Sequence, residues 1–165
     1  MLGLVPGTAR IFSDWLPMNP PSSHNYAGDI SADEAWARLA ADPRAQLVDV
    51  RTMAEWNFVG VPDLSTLGRR VHCIEWQSFP TMAVNPAFTS DAEGAVTAAG
   101  AGRDTAIFFL CRSGARSRAA AAAMAQAGFT QAFNVANGFE GDPDAERHRG
   151  HINGWKAAGL PWRQS

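Results

Sequence analysis

Thr105-Ala-Ile-Phe-Phe-Leu-Cys111-Arg-Ser-Gly-Ala-Arg116-Ser117, continued by an alanine-rich run to Gly128, is the stretch on which the fold turns. Phe108, Phe109 and Leu110 form an unbroken apolar run, the pattern of a strand covered on both faces. From Ser117 onward the chain is built from strong helix formers, and Gly128 stands where a helix-ending glycine belongs. Between them, Arg112 to Arg116 must reverse the chain within a few residues, and Gly114 supplies the backbone freedom. The prediction is a buried strand, a tight loop and a helix, with one cysteine where the strand ends.

That geometry has chemical consequences. A loop curling into a helix N-terminus directs backbone N–H groups into one concavity, and the helix dipole adds positive potential there. A thiol at its mouth, beside Arg112 and Arg116, is stabilised as thiolate, and the thiolate is the nucleophile. The same cradle would bind an anionic substrate. The competing reading makes Cys111 an inert small core residue. Two arginines and a glycine within the next five residues argue against an apolar site.

Cys111-Arg-Ser-Gly-Ala-Arg116-Ser117 resembles the active-site loop of the rhodanese family of sulfurtransferases, in its Cys-Arg-x-Gly-x-Arg form. A second segment, Asp49-Val50-Arg51 with Glu55-Trp56 following, also resembles that family. The resemblance runs from about Asp29 to Trp162, although Gly60-Val61-Pro62-Asp63-Leu64 departs from the Gly-His-Ile-x-Gly-Ala turn many members carry. It implies that Cys111 takes up a sulfane sulfur as a persulfide and passes it to a thiophilic acceptor. Arg112, Ser113, Gly114, Ala115, Arg116 and Ser117 would then bind the substrate, and Asp49 and Arg51 would act in support. Thiosulfate is the simplest small anionic donor; a persulfide donor and a sulfur-relay protein are alternatives. Cysteine phosphatases, including those sharing the rhodanese fold, separate cysteine and arginine by five residues. Here four lie between Cys111 and Arg116, which favours sulfur over phosphate. A phosphatase or arsenate reductase, and a binding module without catalysis, are the rival readings.

Length and composition agree with one globular domain: 165 residues, 46% hydrophobic and 18% charged. A formal net charge of −2 gives no reason to expect a nucleic-acid partner. Cys73 and Cys111 make neither a disulfide framework nor a zinc site, and the reading needs no metal or other cofactor. No run approaches membrane-helix length, and Met1 to Met18 lacks the apolar core of a signal peptide, so a cytoplasmic protein is expected. One lysine against thirteen arginines, with abundant alanine, fits a GC-rich bacterial coding bias.

Along the chain, residues 1–27 hold Pro6, Pro17, Pro20 and Pro21 and read as an extension, docked or partly disordered, before a domain over 28–165. Ser31-Ala-Asp-Glu34, Thr52-Met-Ala-Glu55 and Ser90-Asp-Ala-Glu93 each read as a capping box opening a helix. Gln46 to Val50, Arg70 to Ile74 and the alternating Gln131 to Ala136 read as strands. His72 and Cys73, adjacent on a strand, should point to opposite faces, which argues against a catalytic pair. Glu75 to Pro86 is expected to cover the sheet edge, and the polar loop Phe139 to Gly150 to border the Cys111 site. His148 and His151 are expected as surface histidines, and Asn153 to Gly159 as a short helix. The fold class expected is α/β: a single rhodanese-like domain with a central parallel sheet and helices on both faces.

Overall fold

A computed structural model describes residues 25–165. The extension expected at the N-terminus lies outside them except for Asn25 to Ala27, of which Tyr26 is buried. Five short strands form the central sheet: β1 (Gly28–Ile30), β2 (Gln46–Asp49), β4 (His72–Cys73), β7 (Ile107–Leu110) and β8 (Ala132–Val135). Their spatial order is β1-β8-β7-β2-β4, and each neighbouring pair is parallel. The Cys111 strand, β7, is therefore the centre, and every residue of β2, β7 and β8 is buried.

Alternation along β7 divides the core. Ile107 and Phe109 join Val48, Phe88, Val96, Ala121 and Met124 on one face, under helices α3 (Phe88–Ala98) and α4 (Ala115–Gln126). Phe108 and Leu110 join Ala35, Leu39, Leu47 and Trp155 on the other, under α1 (Ala32–Ala41) and α5 (Gly154–Ala157). Helices thus cover both faces, as the run Phe108-Phe109-Leu110 requires. The strand expected from the alternation at Gln131 to Ala136 is also interior. Its polar residue Asn134 is fully buried instead of facing solvent.

The three expected capping boxes end differently. Thr52 and Glu55 form a complete reciprocal box at the head of α2 (Met53–Phe58). Ser31 caps α1 through the Glu34 N–H. The box expected at Ser90 does not form: α3 starts three residues earlier than that cap would give, at Phe88, and the Ser90 hydroxyl bonds back to the Ala87 carbonyl. Phe88 is 1% exposed and packs against Trp76 and Phe109, so burial of that ring carries the helix start upstream of the polar signal.

Glu75 to Pro86 does more than cover an edge. Trp76 packs on Phe88, but β5 (Gln77–Ser78) and β6 (Ala83–Val84) form a hairpin whose tip leaves Phe79 68% exposed. Where the Gly-His-Ile turn would stand, β3 (Val61–Pro62) pairs with β9 (Trp162–Arg163) near the C-terminus. Among the described residues, no helix is long and apolar enough to cross a membrane.

Candidate active site

Cys111 follows directly on β7, and the chain turns through Arg112 and Ser113 to Gly114, the residue before α4. The turn needs glycine twice over. Gly114 has φ of +110°, and a Cβ there would lie 2.1 Å from the Ala136 carbonyl oxygen. A second segment clamps the turn: the Phe139 N–H donates to the Cys111 carbonyl at 2.8 Å. The Glu140 and Gly141 N–H groups donate to the Arg112 carbonyl at 3.0 and 3.1 Å. The clamp approaches through Gly138, where a Cβ would sit 2.4 Å from the Cys111 carbonyl oxygen.

The thiol does not stand at the mouth of the cradle, as the sequence suggests; Cys111 is 1% exposed. The Gly114 N–H donates to Sγ at 3.1 Å, and Ser117 Oγ, in the first turn of α4, lies 3.2 Å from it. Of the loop's backbone N–H groups, Gly114's makes the bond to sulfur among the described residues. Ser117 Oγ also lies 2.6 Å from Asn134 Oδ1 on β8, and Asn134 Nδ2 donates to Asp29 Oδ1 at 2.9 Å. Sequence reading missed Asn134, because an alternating strand gave it a solvent-facing slot.

Arg116 is occupied. Its Nη1 and Nη2 donate to the two oxygens of Glu55, each at 2.8 Å, in a bidentate pair spanning 61 residues of sequence. Burial alone would raise the Glu55 pKa. It is outweighed by hydrogen bonds from Arg116 and from the Thr52 N–H and hydroxyl, which bring the carboxyl down to about 2. Arg116 is raised in turn, chiefly by the Glu55 hydrogen bonds. Of the two arginines expected to bind substrate, Arg116 is thus ion-paired with Glu55. Arg112 is exposed and has no side-chain partner among the described residues.

A cavity of about 970 Å³ opens over the loop. Glu55, Arg112 and Arg116 line one side, Phe79 and Met82 of the β5–β6 hairpin another, and Glu140, Arg147 and Arg149 a third. The polar loop from Phe139 to Gly150 thus borders the site, as its length suggests. Asp144 organises it, accepting from the Glu146 and His148 N–H groups at 2.9 and 2.8 Å and pairing with His151 at 3.0 Å. His151 is accordingly a surface residue, whereas His148 also lines the cavity.

Asp49 and Arg51 lie beside the site as a fully buried pair, Nη2 to Oδ2 at 2.6 Å. Arg51 also donates to the Gly60 carbonyl at 2.7 Å and stacks over the Phe139 ring, 4.2 Å from its centroid. The pair ties β2 to the segment that clamps the loop. Cys73 is exposed on β4, with β2 between it and the Cys111 strand. Two strand spacings separate the cysteines by about 10 Å, beyond the reach of a disulfide. Among the described residues, no three His, Cys, Asp or Glu side chains cluster as metal ligands would.

The family model for the STR4 middle domain matches residues 27–165. The uncharacterized protein RP600 of Rickettsia prowazekii is 35% identical over 135 residues, covering 82% of this chain and 96% of its own length. The crystal structure of Rv0390 from M. tuberculosis is 51% identical with a TM-score of 0.73, covering 85% of this chain and 99% of that one. The polysulfide-sulfur transferase homodimer from Wolinella succinogenes has a TM-score of 0.52 at 20% identity, over 83% of this chain and 78% of that one. That last likeness concerns the fold.

Proposed function

We propose, from the premise that this chain belongs to the STR4 middle-domain family, that it is a sulfurtransferase working through a Cys111 persulfide. One observation carries the reading. A cysteine directly after the central parallel strand accepts at 3.1 Å from the N–H of Gly114, the residue that precedes the helix α4. Such a setting favours negative charge on sulfur. It occurs in a fold shared with a polysulfide-sulfur transferase.

The steps balance as follows. The Cys111 thiolate attacks the outer sulfur of a donor such as thiosulfate, forming an S–S bond. The donor's own S–S bond breaks, and its electron pair leaves with sulfite. A nucleophilic acceptor then attacks the outer sulfur of the persulfide and returns Cys111 to thiolate. Arg112, with Arg147 and Arg149 across the cavity, supplies the positive charge that draws the anionic donor, while Arg116 is held by Glu55. The loop from Arg112 to Ser117 shapes the floor. Asp49 and Arg51 keep that floor in register without touching substrate.

Intact mass after incubation with thiosulfate tests the reading on the native protein and on Cys111→Ser. The expected result is one added sulfur atom, removed by cyanide and absent from the variant. Addition only from a persulfide donor keeps the chemistry and changes the donor. No addition from either donor class overturns the proposal and leaves a binding module.

A further inference from the structure

Ser117 carries one hydroxyl proton, yet two acceptors lie within its reach: Cys111 Sγ at 3.2 Å and Asn134 Oδ1 at 2.6 Å. The choice between them is made farther back. Asn134 Nδ2 donates to Asp29 Oδ1 at 2.9 Å, and the Tyr26 hydroxyl donates to the same oxygen at 2.8 Å. An ionised carboxylate only accepts hydrogen bonds, so the Asn134 amide must turn its NH₂ to Asp29 and its carbonyl to Ser117. Ser117 must then give its proton to Asn134 and present lone pairs to the sulfur. With Cys111 as thiol, every group is served: S–H to Oγ, O–H to Oδ1, N–H to carboxylate. With Cys111 as thiolate, lone pairs face an anion. Ser117 can donate to the sulfur only by leaving the fully buried Asn134 oxygen unpaired.

We propose that Asn134, oriented by Asp29, is a positioning residue that holds the Ser117 proton away from Cys111 Sγ. This hydrogen-bond chain thereby favours states in which Sγ is uncharged: the thiol when empty and the persulfide when loaded. In the persulfide, Sγ is bonded to carbon and to the outer sulfur, and the negative charge sits on the outer atom. Ser117 then keeps its bond to Asn134 with no anion against its lone pairs. The chain therefore works against the backbone and helix terms that stabilise the thiolate, and tilts the balance toward stored sulfur. The persulfide half of this inference rests on the sulfurtransferase reading; the thiol half does not.

Other charges stand on the elements around the sulfur: Arg112 on the loop, Arg116 paired with Glu55, and the Asp49–Arg51 pair at the end of β2. Arg118 stands near Tyr26 at the far end of the chain. Among the described residues none of these side chains bonds to the side chain of Ser117 or Asn134, so changes along the chain can be made with those charges in place.

The test is the pH profile of iodoacetamide alkylation in a Cys73→Ser background, where Cys111 is the one thiol. Asp29→Ala removes the acceptor that fixes the Asn134 amide, which can then turn over, donate to Ser117 and so direct the hydroxyl at the sulfur. The alkylation midpoint should fall by about one pH unit. Asn134→Leu removes the competing acceptor and should move the midpoint the same way; adding Ser117→Ala should abolish the gain. An unmoved or raised midpoint in Asp29→Ala, or a gain that survives Ser117→Ala, overturns the proposal. Asp29 is at the exposed end of the chain, so its variant decides the matter should Asn134→Leu fail to fold. At a fixed thiosulfate-to-sulfite ratio, the persulfide-to-thiol ratio by intact mass should drop about tenfold in Asp29→Ala; an unchanged ratio overturns the persulfide half. Absence of persulfide from the parent protein with every donor defeats the functional reading instead, and the alkylation profile still decides the hydrogen-bond chain.

Discussion

Glu55 does two jobs with one carboxylate. It closes the capping box of α2 and holds Arg116 of α4 in a bidentate pair. Its pKa falls from 4.5 to about 2 on folding, so the group binds fewer protons in the native state than in the unfolded one. The stabilisation is fully present above pH 4.5 and is lost as pH falls through about 2. Glu55→Gln should therefore lower stability at neutral pH by roughly 2 kcal/mol. The gap between variant and parent in chemical denaturation should close as pH falls from 4.5 toward 2. A gap independent of pH would show that the ion pair is not its source. Glu55 stands in the Glu-Trp signal that the sequence displays, but its partner is 61 residues away and invisible to local pattern.

At the scale of elements, the loop and the helix starts carry the testable content. Gly114→Ala forces a side chain onto a +110° φ and into the Ala136 carbonyl. It should cost about 2 kcal/mol or more. Cys111 should also lose slow, protected alkylation as the turn opens, which thermal unfolding and thiol labelling together would show. The two polar signals at Thr52 and Ser90 make a matched comparison. Thr52→Ala should cost about 1 kcal/mol, because a formed N-cap is removed. Ser90→Ala should change stability by under about 0.5 kcal/mol, because Ser90 is exposed within α3 and caps nothing. Equal costs at the two sites would contradict the assignment of the α3 start. Both stretches have the same Ser/Thr-x-x-Glu form, so the sequence could not rank them; the burial of Phe88 did.

Across the whole molecule, the Asp49–Arg51 pair joins the sheet to the clamp over the loop. Both side chains are fully buried, and the arginine reaches the Gly60 carbonyl and the Phe139 ring. Removing one charge leaves the other buried without compensation. Asp49→Asn should therefore destabilise the domain by about 3–5 kcal/mol, measured by chemical denaturation. Where the variant folds at low temperature, persulfide formation should be retained in it. Loss of sulfur uptake with stability unchanged would instead make Asp49 a participant in the chemistry. The sequence marks Asp49 and Arg51 through their resemblance to a family segment, and their role as a tie follows from where Phe139 and Gly60 meet them.

The sequence by itself determined the architecture and the place of Cys111 directly after the central strand. A continuous apolar run bounded by turn residues fits a strand buried on two faces, alternation with helices favours parallel pairing, and a cysteine between such a strand and a helix falls at the sheet's C-terminal edge. These are properties of neighbours along the chain. Tertiary structure alone decided which charges stay free over the cavity, how deeply the thiol lies, and what stands behind Ser117. Arg116 looks available until α2 brings Glu55 to it, and Asn134 looks solvent-facing until β1 and β7 enclose β8. Each of these depends on a partner tens of residues away, and hydrogen bonds and ion pairs act over ångströms in space, not along the chain.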